Sequence, residues 1–527
     1  MKLSLTSIEN KEDWKGYHLP GYDPEKIAEN TAKDPQWLHF GSGNIFRIFP
    51  AVLCQRLIEK GEMETGIICC EGYDEEIITK CFRPYDNLTI AVTLNADGKL
   101  DKEIVGSMAD SLTMLYDSEK IGQIMEAPSL QMVSFTITEK GYSLRGADHE
   151  LLPAVAADME KGPEGCKSFM AQLTAMCIGR GRACGKPLSL VSMDNCSHNG
   201  EKLQAAVLEI ARAWKDNGKI SAEDLEFLET KIAFPWSMID KITPRPHPVV
   251  EEQLIADGVE EVSPFVTTKH TYIAPFVNAE KPQYLVIEDQ FPNGRPPLEH
   301  VGVIITSRDI VNKVEKMKVC TCLNPLHTCL AIYGCLLGYT SIAAEMEDKE
   351  LSRFIDRMSH EEGMPFVVDP GVIDPKKFLE EVLTARLPNP FMPDTPQRIA
   401  TDTSQKLSIR FGETIKAYMA SDTHEASQLK LIPLVLAGWL RYLVGKDDEG
   451  QPFEISPDPL LPAMKEKLKG IDLGQPLDKE QLRPILSDMA IFGVDLYSCK
   501  LADKVSGYLE ELLAGPGAVR ATLEKYV

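Results

Sequence analysis

Gln36-Trp37-Leu38-His39-Phe40-Gly41-Ser42-Gly43-Asn44-Ile45-Phe46-Arg47 is a short apolar run, a two-glycine turn and the opening of a helical pattern that continues through 48–60. Strand, glycine turn and helix in that order form the dinucleotide-binding arrangement. The glycines let backbone N–H groups approach a pyrophosphate, and the helix N-terminus favours its charge. The third glycine of a G-x-G-x-x-G pattern is absent, and Phe46 stands in its place. The run Gly66-Ile67-Ile68-Cys69-Cys70 then reads as a second strand, ending at Glu71 with Asp74 close behind. An acidic residue there binds the adenosine ribose hydroxyls and disfavours a 2′-phosphate, which favours NAD over NADP. The bland alternative is a solvated strand end.

Further along, 87–94 and 104–106 read as a β excursion turning at 95–98. Strands are expected at 130–137 and 188–193, with helices across 150–177 and 201–216. Alternating strands and helices imply a parallel sheet in an α/β fold. Two polar stretches fall at the carboxyl ends of these strands, where ligands sit. They are Thr136-Ile137-Thr138-Glu139-Lys140-Gly141-Tyr142 and Asp194-Asn195-Cys196-Ser197-His198-Asn199-Gly200. Asn195 can donate its amide to a substrate oxygen, or can simply cap a helix. Residues 1–35 are polar and punctuated by proline, and read as an extended arm or short cap.

The second chemical stretch is Glu315-Lys316-Met317-Lys318-Val319-Cys320-Thr321-Cys322-Leu323-Asn324-Pro325-Leu326-His327. Asn324 and His327 are three apart and share a helix face. Lys318, nine before His327, does not reach that face with ideal spacing, so a bulge or irregular turn near Asn324-Pro325 is expected. A lysine among apolar neighbours resists its charge, which suits it to give and take a proton near neutral pH. A core helix with a satisfied polar cluster is the competing reading. The apolar run 329–344 is short of the roughly 20 residues a spanning helix needs, and reads as a buried helix.

The chain has 527 residues, 43% hydrophobic and 26% charged, an ordinary globular balance for two or more domains. A formal net charge of -23 argues against nucleic acid or an anionic membrane surface as partner. It leaves room for an anionic small molecule at a local basic pocket. Thirteen cysteines without regular spacing suggest reduced, buried thiols in the cytoplasm. No Cys/His set has zinc-ligand spacing. No signal peptide is read at the N-terminus.

Taken together, these stretches resemble the mannitol dehydrogenase family of polyol-specific long-chain dehydrogenases. The matching pieces occur in family order: Gly41-x-Gly43-x-x-x-Arg47, the 136–142 stretch, Asp194-Asn195 to Gly200, and Asp240-Lys-Ile-Thr-Pro244. Val286-Ile-Glu-Asp289, Gly294-Arg-Pro296, Glu315-x-x-Lys318, Asn324-x-x-His327 and Arg386-x-x-Asn-Pro390 follow. The resemblance implies a zinc-independent NAD(P) dehydrogenase with a Rossmann-type domain (1–290) and a mostly α-helical C-terminal domain (291–527). It implies Lys318 as general acid/base, with Asn195 and Asn324 polarising the reacting oxygen. His327, Asp240, Arg386 and Glu315 match substrate-side positions. Gly41, Gly43, Asn44, Phe46, Arg47, Glu71, Thr138 and Asn195 form the cofactor side, and no metal is implied. One departure stands out: six residue steps separate Lys318 from Asn324, where the family has five.

Arg398-Ile-Ala-Thr-Asp402-Thr-Ser-Gln-Lys406-Leu407 resembles the hexuronate-reducing branch, which interconverts D-fructuronate and D-mannonate. The expected function is therefore NAD-dependent hexuronate/hexonate oxidoreduction by a cytoplasmic monomer or homodimer, without nucleic acid or membrane. A mannitol or other polyol 2-dehydrogenase is the alternative within the enzymes. A silent nucleotide-binding sensor, disabled by the extra residue after Lys318, is the alternative outside them.

Overall fold

The computed structural model describes residues 1–527 except Ala96 and Ala147, so the expected turn at 95–98 lies partly outside the described residues. The chain divides into two compact units, Met1–Asn312 and Lys313–Val527.

The first unit is built on a six-stranded parallel sheet. In space its strands are Met108–Thr113, Ile67–Glu71, Trp37–Phe40, Met132–Phe135, Leu188–Ser192 and Ile232–Ala233. Counted along the chain this is the 3-2-1-4-5-6 order, whose winding reverses between the first and fourth strands and leaves a crevice at their carboxyl ends. Both faces of the sheet are covered, which is why its strands read as unbroken apolar runs. Successive residues point to opposite faces. Leu38, Ile68, Val133 and Leu190 enter one core cluster, and Trp37, Ile67, Met132 and Val191 enter the other.

The β excursion is an antiparallel pair, Thr89–Leu94 with Leu100–Val105. Phe276–Glu280 and Tyr17–His18 complete its four-stranded sheet. The N-terminal residues are thus no extended arm. They contribute that strand and a helix, Pro24–Lys33, started by the Asp23 carboxylate, which accepts the Glu25 and Lys26 N–H groups. Asp before Pro is a helix-start signal of N-cap and N1 residues. The first unit also runs past 290. Tyr284–Glu288 lies between Ser237–Asp240 and Ile304–Thr306 in a three-stranded sheet, so hydrogen bonding holds the chain to Thr306 in this unit.

The second unit is helical. Leu431–Tyr442, buried at all twelve residues, packs against Ala502–Leu512 and Asn324–Leu336. The run 329–344 is not one helix. Asn324–Leu336 ends before Gly338, which takes a left-handed φ of 77°, and Ile342–Glu347 starts anew at an N-cap Ser341. By length and composition Arg308–Leu336 would suffice to cross a membrane, but 78% of its apolar window is buried in protein. Four π-helical turns occur here among the described residues: Lys318–Cys322, Met358–Gly363, Val382–Arg386 and Ser408–Gly412.

Candidate functional site

In the first unit, the glycine turn sits where the sheet reverses. Gly41 has φ 108°, and a Cβ there would lie 2.2 Å from the Thr136 carbonyl oxygen at the end of the neighbouring strand, so only glycine fits. A Cβ on Gly43 would meet nothing within 4 Å. Beside that open space, the Asn44 amide oxygen is buried without a hydrogen-bond partner among the described residues, while its nitrogen faces the Pro244 carbonyl at 3.4 Å. A close backbone approach, an open cradle and an unsatisfied amide fit a bound dinucleotide.

Two residues expected on the cofactor side are core residues instead. Phe46 is fully buried and stacked on His39, with ring centroids 4.2 Å apart. Arg47 is also fully buried; its guanidinium donates to Thr89 Oγ1 (3.2 Å) and the Ala274 carbonyl (2.9 Å). The short helix Asn44–Ile48 turns its Phe46-Arg47-Ile48 side inward, and the apolar neighbours of Arg47 were the available signal.

Glu71 also departs from its expected role. Its Oε2 accepts the Ser42 N–H (2.9 Å) and hydroxyl (2.5 Å), and its Oε1 accepts the N–H groups of Gly72 (3.1 Å), Tyr73 (2.8 Å) and Asp74 (3.2 Å). A carboxylate offers about four lone-pair sites. Glu71 therefore ties the glycine turn to the turn after its own strand, and has no oxygen left over for a ribose.

At the ends of the fourth and fifth strands, Asp194 is the organiser that sequence reasoning passed over. Its carboxylate accepts the N–H groups of Ile137 and Thr138 (both 2.9 Å) and the Tyr142 hydroxyl (2.5 Å). These bonds hold Thr138 at a positive φ of 65°. Burial pushes the Asp194 carboxyl up despite them. Asn199, fully buried, bonds the Ser192 and Asp194 carbonyls and Ser237. The adjacent Asn195 is exposed. Asp240 closes the Ser237–Asp240 strand at 4% exposure.

In the second unit, the expected irregular turn is present and falls just after Lys318. The Leu323 N–H donates to the Lys318 carbonyl at 3.1 Å, a five-residue π step, and the His327 N–H returns to α spacing on the Leu323 carbonyl at 3.0 Å. Nine α-helical steps would set Lys318 about 180° from His327, and eight would leave about 80°. The π turn takes up the extra residue and brings the two toward one side. Lys318 is 3% exposed, Lys313 is half-buried and Lys316 is exposed, so the most buried of the three is the lysine expected from Glu315-x-x-Lys318. Glu315 is half-buried on Arg308–Met317. Arg386, 3% exposed, ends the π turn Val382–Arg386.

His327 Nε2 lies 3.4 Å from Asp394 Oδ2, and Asp394 also pairs with Arg398. Burial alone would raise the Asp394 carboxyl, but the neighbouring His327 and Arg398 hold it below the usual range. Asp394 was not expected at the site. Its four-residue spacing to Arg398 was legible, whereas its approach to His327 depends on the fold.

A parallel sheet in this order with a glycine turn at its reversal, followed by a helical unit carrying a buried lysine on a π turn, defines a two-unit protein of the Rossmann class. The chain belongs to the mannitol dehydrogenase family: the mannitol dehydrogenase Rossmann domain matches residues 35–300 and the mannitol dehydrogenase C-terminal domain matches residues 310–513. It is 48% identical to the D-mannonate oxidoreductase of Thermotoga maritima, over 100% of this chain and 99% of that one. Identity to the mannitol 2-dehydrogenase of Phaeosphaeria nodorum is 28%, over 99% of this chain and 86% of the relative. The ternary complex of Pseudomonas fluorescens mannitol 2-dehydrogenase with NAD and D-mannitol has the same fold, with a TM-score of 0.72 at 24% identity, covering 100% of this chain and 99% of that one.

Proposed function

We propose that this protein is an NAD-dependent oxidoreductase interconverting a hexuronate and a hexonate, D-fructuronate and D-mannonate first. The observation that carries the catalytic reading is Lys318, buried at the head of a π turn that leads into Asn324 and His327. The full-length similarity to a D-mannonate oxidoreductase supports the substrate class, and relatives named for mannitol are more distant.

In the oxidising direction, neutral Lys318 accepts the hydroxyl proton as the C–H bond breaks, and its ammonium returns that proton when the ketone is reduced. When bound, NAD accepts the hydride. The Asn195 and Asn324 amides donate to the oxygen as charge develops on it, a role typically worth roughly 2.7–4 kcal/mol per donor. His327, Asp240, Glu315 and Arg386 hold the sugar. The thirteen cysteines, none in a disulfide, suit a reducing, cytoplasmic setting, and the protein acts as a monomer or homodimer. The silent-sensor alternative rested on the extra residue between Lys318 and Asn324, which the π turn accommodates.

The test is NADH oxidation with D-fructuronate against D-fructose, and NAD reduction with D-mannonate against D-mannitol. The expected result is a clear advantage in kcat/KM for the sugar acids. An advantage for fructose and mannitol moves the function to polyol oxidation. Tight dinucleotide binding with no turnover on any of the four makes the protein a sensor.

A further inference from the structure

Most buried or half-buried cations in the helical unit have a visible purpose. Arg520 pairs with Asp348 and Glu350, Lys446 pairs with Asp472, and the fully buried Arg441 donates to three backbone carbonyls. Arg410 differs. It is half-buried on the π turn Ser408–Gly412, and no carboxylate among the described residues lies within ion-pair distance. Among the described residues its guanidinium has one acceptor, the Thr328 hydroxyl oxygen. Five donors in a planar fork are therefore met by one neutral oxygen.

Lys406 lies one helical turn earlier, linked by the Arg410 N–H to the Lys406 carbonyl at 2.9 Å, and donates to the Thr401 carbonyl. Burial lowers the pKa of both side chains, that of Arg410 to about 10, and the charge of Arg410 adds to the lowering at Lys406, against the pull of Asp402 and Asp458. Two cations are held close together in a chain of net charge -23, and neither has a carboxylate at ion-pair distance among the described residues; Asp402 and Asp458 offset part of the desolvation at Lys406 alone.

The position of the pair ties it to the chemistry. Thr328, which receives Arg410, lies one turn after Asn324 on the same helix face, and its hydroxyl donates to the Asn324 carbonyl at 2.9 Å. Thr414, one turn after Arg410, donates to the Cys320 carbonyl within the π turn that begins at Lys318. The two π turns pack on each other, and a small cavity is lined from both by Cys320, Thr321, Arg410 and Phe411.

We propose that Arg410, with Lys406 beside it, is a carboxylate-reading subsite for the acid group of a sugar-acid substrate. This rests on the hexuronate/hexonate reading above and assigns its charge selectivity to residues of the helical unit. The planar fork of Arg410 suits bidentate recognition, and Lys406 adds a point charge.

The test compares wild type with Arg410→Met, Arg410→Lys and Lys406→Gln. Arg410→Met is expected to raise KM for D-fructuronate by roughly 30-fold, the scale of a lost charge-assisted hydrogen bond, with kcat within a few-fold and KM for NADH unchanged. Arg410→Lys recovers part of the loss, and Lys406→Gln shows a smaller rise of the same kind. An unchanged KM for D-fructuronate in Arg410→Met overturns the proposal. So does a joint loss of kcat, NADH affinity and melting temperature in both Arg410 variants, which would make Arg410 a packing residue. If Arg410→Met does not fold, Lys406→Gln decides by the same criteria. Should wild type turn over neither sugar acid, the hexonate reading fails separately. Calorimetric binding of D-mannonate to the protein with NADH then tests the subsite: weaker binding by Arg410→Met upholds it, and equal binding overturns it.

Discussion

At the scale of single residues, Lys318 and Glu71 carry the sharpest expectations. Lys318→Ala should keep the fold and the affinity for NADH while turnover falls by about 10²–10⁴-fold, the usual worth of general acid–base catalysis. Stopped-flow hydride transfer with D-fructuronate measures this, and a variant within a few-fold of wild type would remove Lys318 from the chemistry. For Glu71 the hydrogen bonds replace the sequence expectation. Because five donors from Ser42, Gly72, Tyr73 and Asp74 already fill the carboxylate, Glu71→Gln should weaken NADH and NADPH binding alike through a loosened glycine turn. Fluorescence titration of both coenzymes separates the two roles. A selective gain for NADPH would put Glu71 at the ribose after all. A one-dimensional pattern marks an acid at a strand end, but cannot count the donors that the folded turn brings to it.

At the scale of elements, the π turn Lys318–Cys322 is the feature that reconciles the chain with its family. It absorbs one residue, so deleting Cys320 should let the segment wind as an α-helix with Lys318 in the same relation to His327. Circular dichroism should show unchanged helix content, and turnover on the sugar acid should persist. Complete loss of turnover with the fold intact would mean that the π geometry itself, rather than the register it restores, positions Lys318. The need for an irregular turn was legible from the nine-residue spacing of Lys318 and His327. Its location was not, because proline at 325 drew the expectation to the helix start. The N-terminal helix Pro24–Lys33 shows the opposite case, a start signal at Asp23-Pro24 that was present in the sequence and outweighed by polar composition.

At the scale of the whole molecule, the cost of one buried acid should be visible in stability. Glu345 is fully buried, neither carboxylate oxygen has a hydrogen-bond partner among the described residues, and a Cβ on Gly334 would lie 2.1 Å from its Oε1. Burial first, and then the nearby Asp348, push its pKa from 4.5 up to about 9. The folded protein therefore keeps a proton that the unfolded chain releases above pH 4.5. Its contribution to stability is complete below that pH and is lost progressively up to about pH 9, with a limiting slope near 1.4 kcal/mol per pH unit. Glu345→Gln should flatten the fall between pH 6 and 8 in urea midpoints. An unchanged pH profile would show that Glu345 finds a partner or water in solution.

The sequence by itself determined the fold class, the strand–glycine-turn–helix opening, the family and the principal catalytic candidates. These depend on local periodicity and on residue types at short spacing, which survive in one dimension. The tertiary structure alone decided that Arg47 and Phe46 belong to the core, that Asp194 and Asp394 organise polar clusters, and that Glu71 is saturated. Several of these turn on partners distant along the chain, such as Ala274 for Arg47, His327 for Asp394 and Ser42 for Glu71. A side chain's role is set by which donors and acceptors surround it after burial, and burial is a property of packing that no short stretch encodes.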